Sequence, residues 1–86
     1  MSEKYAIEAG SSQFVIEHNF YEGFTVKRAS EVIEHGMLLN PMAAKLASLV
    51  RQEGVEEVTV TDLETKETEK VAAEEFANNV TRWVRY

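Results

Sequence analysis

The sequence predicts an α+β fold: a small two-layer domain whose antiparallel sheet, of two hairpins and up to five strands, carries two to three helices on one face. Three observations predict it. Lys4–Ala9 and Gln13–Glu17 alternate apolar and polar residues on either side of Gly10 and Ser11. Residues 40–54 read as an amphipathic helix with signals at both ends. Val58 and Val60 then alternate with Glu57, Thr59 and Thr61, the period of a half-buried strand.

In the first hairpin, Gly10-Ser11 suits a two-residue type II′ turn, which wants Gly first. That turn pairs Ala9 with Ser12, Glu8 with Gln13, Ile7 with Phe14, Ala6 with Val15 and Tyr5 with Ile16. The same register puts Tyr5, Ile7, Phe14 and Ile16 on one face, so turn chemistry and side-chain sorting agree. Residues 18–23 mix turn formers (Asn19, Glu22, Gly23) with the large side chains Phe20 and Tyr21. Phe24 to Val26 reads as a third strand. The alternative is a helix capped by Thr25 and running to His35. With the strand preferred, Ser30 caps a short helix through Val32 and Ile33 that Gly36 ends. Met37, Leu38 and Leu39 form a packed connection to the next helix.

Asn40 is expected as N-cap and Pro41 as first helical residue, where its missing N–H costs nothing. Met42, Leu46, Leu49 and Val50 make the apolar stripe, and Gly54 takes the left-handed C-terminal position with Val55 folding back. After the Val58–Val60 strand, residues 63–67 turn, with Lys66 where Gly is usually preferred, and residues 67–71 return as a polar outer strand. A final helix over 73–85 places Phe76, Val80 and Trp83 on one side. Its acids, Glu74 and Glu75, and its bases, Arg82 and Arg85, each favour their own end of the helix dipole. No repeat or linker divides residues 1–86, which read as one domain.

The chain has no cysteine, which removes disulfide and thiolate metal chemistry and favours the cytoplasm. No apolar run approaches a membrane span, so no membrane association is expected. Asn79-Val80-Thr81 matches the glycosylation acceptor pattern but falls inside the expected helix.

Two histidines are the only acid–base candidates near neutral pH. His18 ends a strand and His35 ends the expected helix, where the dipole alone accounts for it. Glu31 and His35 would share a helical face but lack a third metal ligand. The serines read as turn and cap residues, and no glycine-rich phosphate loop exists. No catalytic residue, metal or cofactor is expected, and a small enzyme resting on His18 and His35 is the weakest reading.

Net charge is −6, and residues 53–75 hold nine acids and two bases, a net of −7. This excess disfavours direct nucleic-acid binding. It points instead to a non-enzymatic protein that meets a basic protein surface through Glu56, Glu57, Asp62, Glu64, Glu67, Glu69, Glu74 and Glu75. Tyr21 and Tyr86 are the expected exposed aromatic anchors, and Trp83 is expected in the core. In composition the chain resembles phage-encoded inhibitors, anti-CRISPR proteins among them. That resemblance implies an inhibitor of a nucleic-acid-binding protein, with carboxylates occupying a phosphate groove. The other reading is a self-associating subunit such as a homodimer, motivated by the apolar surplus of Met37 to Leu39, Phe20, Tyr21, Trp83 and Tyr86.

Residues 36–44 also resemble the active-site turn and helix start of the histidine-containing phosphocarrier proteins. Leu38 stands where that family has its phosphorylated His, and Asn40 where it has Arg. Phosphocarrier chemistry is therefore not implied.

Overall fold

The computed structural model describes residues 2–86. Its strands are β1 (Ser2–Ala9), β2 (Ser12–Asn19), β3 (Gly23–Arg28), β4 (Glu31–Met37), β5 (Glu57–Asp62) and β6 (Thr68–Ala72). Helix α1 (Leu39–Glu53) follows β4, and α2 (Ala73–Asn78) follows β6, trailed by one 3₁₀ turn at Val80–Arg82. All pairings are antiparallel, in the order β4-β3-β2-β1-β5-β6. The first four strands form a meander, α1 crosses one face, and β5 returns to pair with β1 on the far side.

The β1–β2 register matches the expected five pairs, from Tyr5 opposite Ile16 to Ala9 opposite Ser12. Gly10 alone supplies the positive φ, +65°, consistent with a type II′ turn. β5 then places Val60 opposite Ile7, so the inner face continues across the new pair. Tyr5, Ile7, Phe14, Ile16, Phe24, Val26, Val58, Val60 and Val71 are buried on that face. Met42, Leu46, Leu49 and Val50 of α1, with Phe76 of α2, Val80 and Val84, close over them. α1 lies on the β3 side and α2 on β5 and β6.

Three expectations are corrected. Residues 31–37 form an edge strand, not a helix capped by Ser30, which gives the α+β sheet six strands where up to five were expected. Ala29 takes a left-handed turn (φ +54°) and Arg28 pairs with Glu31, while β-branched Val32 and Ile33 suit the strand. Bulges near Val26 and a positive φ at Gly36 interrupt this edge, and such irregularity discourages further strand addition.

The N-cap of α1 is Leu38, without a side-chain cap bond, and not Asn40. Pro41 therefore sits third in the helix, still among the positions whose N–H has no intrahelical acceptor. Gly54 ends the helix in the left-handed conformation, as expected. The C-terminal helix stops at Asn78 instead of running to residue 85. Asn79 leaves helical geometry (φ −140°), and its Nδ2 donates to the Glu75 carbonyl at 3.2 Å. Such local bonds compete with helix continuation. Phe76, Val80 and Val84 stay buried across this break, and Trp83 packs at the core margin with its ring 5.7 Å from that of Phe76.

Among the described residues no helix covers the other sheet face. Ala6 and Thr25 are nonetheless buried there among their cross-strand neighbours, and so is Glu17 at 7% exposure. The Glu17 carboxylate accepts a 2.7 Å hydrogen bond from Lys27 Nζ, with Glu3 a further 3.8 Å contact. That hydrogen bond holds the Lys27 ammonium above the ordinary lysine pKa. Thr59 and Thr61 continue the same face on β5.

Candidate interaction surface

Strand direction decides what shares an end of the molecule. β2 and β5 both run antiparallel to β1, so Asn19 and Asp62 finish at the same end. The β2–β3 turn, the exit of β4, the start of α1 and the β5–β6 turn therefore all lie there. About three strand spacings, roughly 14 Å, separate the two turns.

The first turn displays Phe20 and Tyr21, which are 91% and 95% exposed. Asn19 Oδ1 accepts hydrogen bonds from the backbone N–H of Tyr21 (2.8 Å) and of Glu22 (3.2 Å), fixing the turn from within. Gly23 closes it with φ +87°, and a Cβ there would stand 2.6 Å from the Met37 carbonyl oxygen. The two rings meet edge to face at 6.0 Å. Leu38, 72% exposed, follows Met37 at this same end. Tyr86, 67% exposed, lays its ring 5.1 Å from His18 and 5.2 Å from buried Phe24. The expected anchors Tyr21 and Tyr86 are thus both on the surface at one end. Phe20 and Leu38 join them. Phe20 was visible in the sequence as a large apolar residue among turn formers, whereas Leu38, expected in a packed connection, is exposed because it caps α1 from outside the core.

The second turn is polar. Asp62 Oδ1 accepts from the backbone N–H of Glu64 (2.9 Å) and of Thr65 (3.3 Å), and Lys66 takes φ +68° where glycine is preferred, as expected.

The acids of residues 53–75 do not gather in one patch. Glu57 lies on the open sheet face, whereas Glu69, opposite Val60, lies on the helix-bearing side. Asp62, Glu67 and Glu69 share a hollow of about 340 Å³ with Arg82 and Arg85, which reduces their local field. Glu64 pairs with Lys4 at 3.3 Å and Glu75 with Arg82 at 3.5 Å. Glu53 pairs with Arg28 at 3.5 Å. Glu56, Glu57 and Glu74 lie at the opposite end, where the Ala73 N–H donates to the Glu56 carbonyl. Among the described residues these three make no ion pair.

His18 packs against the Phe24 and Tyr86 rings, which also touch each other, while His35 lies on the exposed edge strand. Because residues 31–35 form a strand, Glu31 and His35 lose the helical spacing that would have joined them. Among the described residues no three His, Asp or Glu side chains group as a metal site. Among the described residues no helix is long and apolar enough to cross a membrane.

No protein-family model, curated protein or solved structure matches the chain.

Proposed function

We propose that this chain is a non-enzymatic binding domain that engages a protein partner through the Tyr21 end of its sheet. The observation that carries the reading is the Phe20–Tyr21 pair, two large rings held almost wholly in solvent by a turn that is already ordered. Exposing such area is unfavourable unless a partner covers it, and pre-ordering lowers the entropy lost on binding. Aromatic anchors of this type dominate interface energies. Glu22, beside the rings and without an ion pair among the described residues, gives that border a negative charge, which suits a partner whose apolar pocket has a basic edge.

Inhibition of a nucleic-acid-binding protein is one form of this activity. It would use the aromatic end as the anchor and the acids as steering. The hollow shared by Asp62, Glu67, Glu69, Arg82 and Arg85 favours the aromatic anchors as the main source of affinity over carboxylates alone.

Capture of partners from host lysate on the immobilised chain tests the proposal. Phe20→Ala/Tyr21→Ala is expected to abolish capture, and Glu57→Lys/Glu67→Lys/Glu69→Lys to weaken it most at low salt. Undiminished capture by the folded aromatic variant would remove the reading. Self-association draws on the same exposed rings, and sedimentation separates it: a dimer dispersed by the aromatic substitutions would make the partner a second copy.

A further inference from the structure

A groove of about 690 Å³ runs along the other side of α1, between that helix and the α2–Arg82 segment. Its lining differs in charge from the chain as a whole. It contains Arg51 and Arg82 and no acid, in a protein of net charge −6. Alanine methyls from α1 and α2 form its floor, so a ligand can approach the helix backbone closely.

Arg51 is tied to a neighbouring amide, and Arg82 is more loosely paired. Arg51 Nη2 donates to Asn78 Oδ1 at 2.7 Å and makes no ion pair among the described residues, leaving most of its five donors for a ligand. Arg82 rests 5.5 Å over the Trp83 ring. Among the described residues its ion pair is the 3.5 Å contact with Glu75, exposed on both sides and so readily exchanged, and Asp62, Glu67 and Glu69 line the hollow it shares with Arg85. Glu74 lines, with Arg51, a separate smaller hollow.

We propose that this groove binds an extended acidic peptide segment of about five residues, independently of the Tyr21 end. Length sets the size: Asn40 and Arg51 stand eleven positions apart on α1, about 16 Å at 1.5 Å per residue, which an extended chain spans with about five residues. Hydrogen-bond chemistry selects the peptide. Asparagine amides and the Thr81 hydroxyl each offer an acceptor as well as a donor. A peptide main chain satisfies both, whereas phosphate at neutral pH is chiefly an acceptor. Arg51 and Arg82 match carboxylate side chains through paired N–H donors.

The test is an amide NMR titration of the full chain with acetyl-Glu-Ala-Glu-Ala-Glu-amide. Its Lys-Ala-Lys-Ala-Lys counterpart and inorganic phosphate serve as separate arms. Saturable shifts are expected at Asn40, Ala44, Asn78 and Arg82 with the acidic peptide alone. Arg51→Gln/Arg82→Gln should weaken binding by about tenfold or more. Ala44→Leu, an exposed position, should block the floor while keeping both arginines, and Glu75→Gln should tighten binding about twofold by releasing Arg82. The proposal is overturned if the acidic peptide gives no saturable shift up to about 5 mM. Equal response to the basic peptide, phosphate moving the same amides as strongly, or unchanged affinity in the folded arginine variant would also overturn it.

Discussion

The β2–β3 and β5–β6 turns use one device at one end of the sheet. Asn19 Oδ1 accepts from the N–H groups two and three residues on, and Asp62 Oδ1 does the same. Each turn also needs one left-handed residue, Gly23 in the first and Lys66 in the second. The contents differ: two exposed aromatic rings in one, and acids, Thr65 and Lys66 in the other. Turn closure and recognition chemistry are therefore separable, because the side chain that shapes each loop is not one that the loop presents.

The largest effect should come from removing what differs in the scaffold. Gly23→Ala forces a Cβ against the Met37 carbonyl at a left-handed position, and a stability loss of about 2–3 kcal/mol is expected by urea unfolding. Phe20→Ala/Tyr21→Ala should weaken partner binding by about 2 kcal/mol or more while moving stability by less than about 0.5 kcal/mol. If the double variant instead unfolds the domain, the rings serve the core and the separation fails.

Asn19→Ala and Asp62→Ala remove the shared device, and each should cost about 1 kcal/mol. A large disparity between them would show that one turn is held by something else. Lys66→Gly should stabilise by only about 0.5 kcal/mol, since relief of about 1 kcal/mol of left-handed strain is partly offset by glycine's unfolded-state entropy.

Lys27 gives the β2–β3 hairpin a pH dependence. Because the Glu17 hydrogen bond raises its pKa, the pair's contribution is full below the ordinary lysine value and fades as pH rises through the raised one. The stability gap between wild type and Lys27→Met should therefore narrow in strongly alkaline solution.

Sequence patterning exposed the elements in which local and long-range preferences agree. The β1–β2 register followed from Gly10 and the alternation around it, and the α1 stripe from its spacing and Gly54. β4 was not legible as a strand because Ser30 and Gly36 bracket it with signals shared by helix caps. The turn at Ala29 carries no glycine to reveal it. Asn78 and Asn79 marked the end of α2, but the apolar spacing of Phe76, Val80 and Val84 persists across the break and imitates a continuous helix. Tyr21 and Tyr86 were legible as surface aromatics. Their convergence was not, since it depends on strand direction across a sheet assembled from both ends of the chain.

The β1–β5 pairing joins residues more than fifty positions apart. The four-strand meander and α1 precede Glu57–Asp62 in the chain, so the second margin of β1 has no partner until that segment docks. Loop closure of that span is slow relative to hairpin formation. Any form of the chain with β5 undocked leaves Tyr5 to Glu8 without backbone partners on that side, a template for neighbouring chains. Docking of the last hairpin is the step that ends that exposure.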